Sequence, residues 1–162
     1  MPETASPVEF FIARLPKVEL HLHLEGSVRP ETLRELSQTK GWLRKAGTKY
    51  WIWRRRRQGY RYQNFRNFVD AFTLVTLLVE TPSDYALATT RLMEWLARQN
   101  VKYAEVTFSA GVALCKKQSI EAIFEAMADA ASEAQTRLGL RINWIFDAIR
   151  QLGPEPARQV VA

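Results

Sequence analysis

Cysteine is almost missing from these 162 residues: Cys115 stands alone. That excludes an intramolecular disulfide and every cysteine-rich zinc site, and it fits a reducing compartment, so a cytoplasmic location is expected. Histidine is nearly as scarce, with only His21 and His23, so any imidazole chemistry must be done there. No apolar run approaches the ~20 residues that cross a bilayer, because the longest, Phe68 to Val79, is broken by Asp70, Thr73 and Thr76. The N-terminal Met1 to Val8 is acidic and proline-containing, whereas a secretory signal opens with positive charge and then an apolar stretch. A soluble protein with no membrane partner is expected.

Acidic residues are absent from one stretch, Lys40 to Arg61, which holds nine of the 23 basic residues and three of the five tryptophans. The formal net charge of +6 is therefore local: the rest of the chain carries 14 basic and 17 acidic residues, a net of −3. With 47% hydrophobic and 25% charged residues, the chain has the composition of a globular domain able to bury a core.

The apolar periodicity alternates between two kinds of element. Ser6 and Pro7 predict a helix start, since a hydroxyl caps free amides and proline suits the first helical position, and Pro16 stops that helix. Val18, Leu20, Leu22 and Leu24 then alternate with Glu19, His21, His23 and Glu25, the period of a strand with two chemically different faces. Pro30, Leu33 and Leu36, with Gly41 just beyond, predict a short helix. Phe65, Phe68, Phe72, Val75 and Val79 recur at helical spacing. A further helix is expected from Pro82 to about Gln99. Val101 to Phe108 reads as a strand that places Glu105 and Thr107 on the face of Val101 and Tyr103, and a loop is expected after it. Ser119 caps a long helix that Gly139 ends, Leu140 to Ile149 forms a third strand, and Pro154 opens another helix. The order is that of a parallel sheet with helical crossovers.

In a strand, His21 and His23 point the same way about 6 to 7 Å apart, close enough to ligate one metal ion. An isolated His-x-His is equally compatible with two buried, hydrogen-bonded rings. The longer string Leu15-Pro16-Lys17-Val18-Glu19-Leu20-His21-Leu22-His23-Leu24-Glu25-Gly26-Ser27 resembles the first barrel strand of the adenosine deaminase family within the metal-dependent amidohydrolases. Tyr103 to Ser109 is similar to that family's second strand, and Ile145 to Gln151 to its third. The resemblance runs from about Phe10 to Val161 except at Lys40 to Arg61, and it makes residues 1–162 a partial amidohydrolase-type barrel domain.

What the resemblance implies is α/β architecture, about three of the eight βα units of a TIM-type (β/α)8 barrel, with one Zn2+ held by His21 and His23 at the ends of the strands. It places Glu25 against the ribose of a purine nucleoside, Gly26 where the backbone nears the base, and Phe65 in an aromatic subsite; Phe68 and Phe72 are expected in the core. The implied reaction is hydrolytic deamination of adenosine or a related 6-aminopurine nucleoside, with adenine and aminodeoxyfutalosine also open. Catalytic zinc usually keeps three protein ligands and an open position. The family's third histidine, aspartate ligand, general-acid glutamate and paired aspartates belong to later motifs, and none appears by Ala162. The chain thus carries no general acid of its own, is expected to be inactive by itself, and needs the missing C-terminal half of the barrel. The other deaminase architecture, completed by a Cys-x-x-Cys motif, is excluded by the solitary Cys115. Where many family members have proline after the second strand, this chain has Ala110-Gly111, a departure that bears on substrate choice.

Lys40 to Arg61 breaks the family pattern, which resumes near Tyr62. Arg54 to Arg57, flanked by Tyr50, Trp51, Trp53 and Tyr60, can hold anions or single-stranded nucleic acid by charge and stacking, the alternative of a noncatalytic remnant or binding module. The same composition suits a solvated insertion or a local irregularity of reading frame, and its spacing sets no nucleic-acid motif.

Overall fold

A computed structural model gives the structure of residues 6–39 and 63–161. The basic segment Lys40 to Arg61, with Arg54 to Arg57, lies outside the described residues, as does Gly41.

Helix α1 (Pro7–Arg14) starts as its sequence predicts: Ser6 Oγ accepts from the Glu9 amide and the Glu9 carboxylate accepts from the Ser6 amide, a reciprocal capping box, with proline at the first helical position. Strand β1 (Lys17–His23) follows, then a 3-10 turn at Glu25–Ser27 and helix α2 (Pro30–Thr39). Helices α3 (Phe65–Leu78) and α4 (Pro82–Arg98) lead to strand β2 (Val101–Phe108), and α4 repeats the capping box with Thr81 and Asp84. Helix α5 (Ala110–Cys115) occupies the position expected to be a loop. Helix α6 (Ile120–Leu138), strand β3 (Arg141–Phe146), a 3-10 turn at Arg150–Leu152 and helix α7 (Pro154–Val161) complete the order.

The three strands form one parallel sheet in the order β1-β2-β3. One of its faces is closed by α4 and α6. Val106, Phe108, Met93, Ile123, Met127 and Leu140 are buried there, and each such side chain contributes roughly 1.5–3 kcal/mol by leaving water. The partly exposed Arg91 links α2 to α4 through Glu35, while Glu94 links α4 to Arg137 on α6. Ion pairs of that exposure typically contribute only ~0.2–1 kcal/mol each, so the apolar layer decides the packing.

Register explains where the strand residues point. Pairing advances from Glu19↔Ala104 to Leu22↔Val106, three residues along β1 against two along β2, so β1 carries a bulge at Leu20 and His21. Glu19 and Leu22 consequently share the helix-facing side, whereas Val18 and His23, opposite Tyr103 and Thr107, share the other. The uniform alternation expected for β1 therefore does not hold, and Glu25 belongs to the turn beyond the strand. A second irregularity, at Lys102, turns Val101 into the core and away from the face of Tyr103, Glu105 and Thr107 on which the sequence placed it. The face opposite the helices is open: Val18 and Leu20 are each 59% exposed. Neither outer strand has a further strand partner among the described residues.

Gly139 closes α6 with φ +63°, a left-handed cap that its sequence position predicts. Nothing lies within 4 Å of where its Cβ would stand, so only backbone strain opposes a side chain there. Gly139→Ala is expected to lower stability by about 1 kcal/mol, with Gly139→Asn losing less, as read from denaturant midpoints at unchanged slope.

Candidate metal and substrate site

The C-terminal ends of the three strands converge on one cluster. His21 lies in the bulge of β1 and His23 at its last position, with ring centroids 5.5 Å apart. Two imidazoles that near can face a single ion, and among the described residues no third His, Cys, Asp or Glu is grouped with them to complete a site. On its other side His23 meets the edge of Phe72 from α3, at 6.3 Å between centroids.

Directly after β1 the chain turns tightly. Ser27 Oγ donates to the His23 carbonyl at 2.7 Å, and the Leu24 amide donates to the Thr107 carbonyl at 2.9 Å, which carries the β1–β2 pairing into the turn. Gly26 lies beneath Phe72: a Cβ at Gly26 would be in ordinary contact with the ring at 3.5 Å, so the position is close-fitting without being closed to a small side chain.

Glu25 is 1% exposed. Ser109, the first residue after β2, donates to it twice, from its amide to Oε1 at 3.1 Å and from its hydroxyl to Oε2 at 3.3 Å. Burial pushes the Glu25 carboxyl up to about 7; the hydrogen bonds from its own turn and from Ser109 act against burial, and the nearby negative charge of Asp147 adds to it. Asp147, just past β3, is raised mainly by burial, opposed by positive charge on His23 and by the Ser109 hydroxyl. Its amide donates to the Phe108 carbonyl and its carbonyl accepts from the Gly111 amide, so the β3 end is fastened to the β2 end.

The aromatic residues on α3 divide along the helix. Phe65 is 77% exposed and stacks on Phe68 at 6.0 Å, and Phe68 leads to Phe72 at 6.3 Å. Only Val75 and Val79 of the predicted stripe enter the core, while Phe72 lies against His23 and Gly26 beyond β1. Phe68 and Phe72, expected in the core, thus form a ladder from Phe65 to His23. Sequence reasoning passed over Ser109 and Asp147 as site residues; a hydroxyl and a carboxylate directly after two predicted strands were the available signal.

A portion of a parallel β/α barrel, with paired imidazoles and carboxyls at the strand ends, defines the class. The family model for adenosine deaminase matches residues 16–162, and the chain belongs to that family. It is 31% identical to aminodeoxyfutalosine deaminase of Streptomyces coelicolor over 98% of this chain and 40% of that protein, and 31% identical to adenine deaminase of Rhodospirillum rubrum over 91% of this chain and 43% of that protein. Among solved structures it superposes on the N6-mAMP deaminase of arabidopsis with a TM-score of 0.77 at 22% identity, covering 94% of this chain and 46% of the other. It also superposes on a zinc-bound amidohydrolase from Burkhoderia ambifaria with a TM-score of 0.72 at 20% identity, covering 99% and 43%. These structures establish the fold as the N-terminal portion of a TIM-type β/α barrel. The chain spans about 40% of the length of the curated relatives it matches.

The buried Glu25 makes stability depend on pH in a definite direction. Its carboxyl titrates near 4.5 when unfolded and near 7 when folded, so the folded state holds the extra proton between those values. Its stabilising effect is complete below about pH 4.5 and is lost as pH rises through 7, with an upper magnitude of ~3 kcal/mol. With chelator present, unfolding free energy is expected to fall over that window in wild type and to fall distinctly less in Glu25→Gln, measured by denaturant titration at several pH values.

Proposed function

We propose that the complete protein is a zinc-dependent deaminase that hydrolyses the amino group from adenosine or a related 6-aminopurine nucleoside, and that this chain contributes the β1 side of its active site. The observation that carries the reading is the pair of imidazoles on the bulged end of β1, next to a carboxyl and under an aromatic ladder. His21 and His23 hold the metal. The donor set suits zinc, since neutral imidazole nitrogen is among its preferred ligands. When bound, zinc supplies the Lewis acidity that activates a water for attack on the carbon bearing the amino group.

The chain's own residues shape the rest of this corner. Glu25 and Gly26 form the floor on which the nucleoside rests, and Phe65 with its neighbours offers a flat apolar side to the purine. The bulge turns His21 toward His23, and the hydrogen bond from Ser27 fixes the backbone of His23, so the two rings are held before any ion arrives. The general acid and the remaining metal ligands come from later strands, in the part of the relatives' length that this chain does not span. Adenine, adenosine and aminodeoxyfutalosine deaminases stand among the relatives, and the proposal takes a nucleoside as the substrate. No helix among the described residues is long and apolar enough to cross a membrane, and with the solitary cysteine this supports a cytoplasmic enzyme.

The complete protein is expected to release ammonia from a 6-aminopurine, to lose that activity to a chelator and to regain it with zinc. His21→Ala is expected to lower kcat/KM by more than about a hundredfold, since loss of a ligand exceeds the 10- to 100-fold effect of residues that merely support one. Ammonia release untouched by either treatment would overturn the reading.

A further inference from the structure

Helix α3 ends in hydrogen bonds that its own sequence does not supply. The last carbonyls of a helix have no partner within it, and a cation near them suits the helix dipole, yet the last turn of α3 holds no basic residue. Lys116, just past α5, takes that place: its ammonium donates to the Thr76 carbonyl at 2.6 Å and to the Val79 carbonyl at 2.8 Å. The Gln118 side-chain amide donates to the next carbonyl, that of Glu80. Across the same turn the Glu80 and Thr81 amides both donate to Asp84 Oδ2, so acceptors and donors of the α3–α4 junction are tied together.

The clamp stands on a fixed base. The Lys116 amide donates to the Val112 and Ala113 carbonyls, the Gln118 amide donates to that of Ala113, and the Gly111 amide holds α5 to the end of β3 through the Asp147 carbonyl. Ser109 begins this stretch and holds Glu25, so one short piece of chain fastens the floor of the site at its start and the end of α3 near its finish. Helix α3 is anchored in the core only in its second half, by Ala71, Val75 and Thr76 with Val79 just beyond, whereas Phe65 and Phe68 are exposed. At 1.5 Å per residue Phe65 stands about 16 Å along the axis from Thr76, so a turn of about 5° at the clamp moves that ring by about 1.4 Å. A misplacement of roughly 1 Å is enough to upset the positioning of a bound substrate.

We propose that Lys116 is the positioning residue of the aromatic wall: through the Thr76 and Val79 carbonyls it sets the angle at which α3 presents Phe65, Phe68 and Phe72 beside His23, and so governs how tightly the purine is bound, without touching substrate or metal. The assignment rests on the deaminase reading. It adds to that reading a determinant of substrate affinity in the segment after β2, away from the strand that carries the histidines.

The experiment uses the complete protein in wild-type, Lys116→Met, Lys116→Gln, Lys116→Arg and Phe65→Ala forms and in the Lys116→Met/Phe65→Ala double form, each checked for folding by thermal melting. Hydrogen exchange without metal is expected to show the amides of α3 losing protection in Lys116→Met while those of α6 keep theirs, with Lys116→Arg restoring α3. In the zinc-loaded protein, on adenosine or adenine, whichever the wild type deaminates, Lys116→Met is expected to raise KM about tenfold with kcat changed less than about twofold and zinc content unchanged, and Lys116→Gln, which keeps a neutral donor, to fall between. Because Lys116 acts through the rings, the double form is expected to raise KM by less than the product of the two single effects. Unchanged protection of α3, an unchanged KM in both Lys116→Met and Lys116→Gln, or a double form equal to that product would overturn the assignment while leaving the deaminase reading intact. A wild type that releases ammonia from neither compound would remove that reading and the assignment with it.

Discussion

The two hydrogen bonds from Ser109 to Glu25 join parts of the chain 84 residues apart, and the site depends on them. Glu25 follows β1 and Ser109 follows β2, so the pair fixes how those strand ends stand relative to one another. A buried carboxyl is costly unless its oxygens are satisfied, and here each oxygen has a donor. The backbone bonds from Leu24 to Thr107 and from Asp147 to Phe108 extend the same closure to either side. Without it the turn that carries Glu25 and Gly26 would be held by its short local hydrogen bonds and by the burial of Leu24 and Val28 on either side.

Around this closure the helices and the strands divide the work. The apolar layer between the sheet and α4 and α6 is ordinary core, able to hold the strands but indifferent to chemistry. On the strand ends the bulge in β1 breaks the alternation that would otherwise keep Glu19 on the side of the histidines. One extra residue thus separates a helix-facing glutamate from the two imidazoles, leaving them with each other and with Phe72 as neighbours. The ladder Phe65, Phe68 and Phe72 extends the apolar wall outward from His23. The placing of the imidazoles, carboxyl burial and aromatic contact all follow from how three strands end.

Elements were legible in the sequence where one local rule governs them. Ser6-Pro7 and Ser119 mark helix starts through side-chain capping, Pro82 opens another, Gly139 marks an end, and the strands show in their apolar pattern. The family and the candidate metal-ligating histidines were carried by one contiguous string at β1. What escaped depends on partners distant in sequence. The bulge at Leu20 and His21 and the turn of Val101 into the core are set by pairing with another strand, which no single-strand periodicity reports. Helix α5 is short and opens with Ala110-Gly111, residues that read as loop until the Gly111 amide finds the Asp147 carbonyl. Phe68 and Phe72 have the spacing of core residues, and only their ring contacts toward His23 in the folded chain give them to the site. Asp147 has no motif of its own; only the pairing of β3 with β2 brings its carboxyl near Glu25 and His23.

The measurement that tests the central claim most directly is zinc-edge X-ray absorption on the complete protein loaded with one equivalent of zinc, in wild type and in the His23→Ala form. Imidazole scattering with zinc–nitrogen distances of about 2.0–2.1 Å, and a loss of one imidazole in the variant, is the result expected if β1 supplies two metal ligands. A zinc environment unchanged by the substitution, or one with sulfur at about 2.3 Å, would place the metal elsewhere and contradict the account of the strand ends as its site.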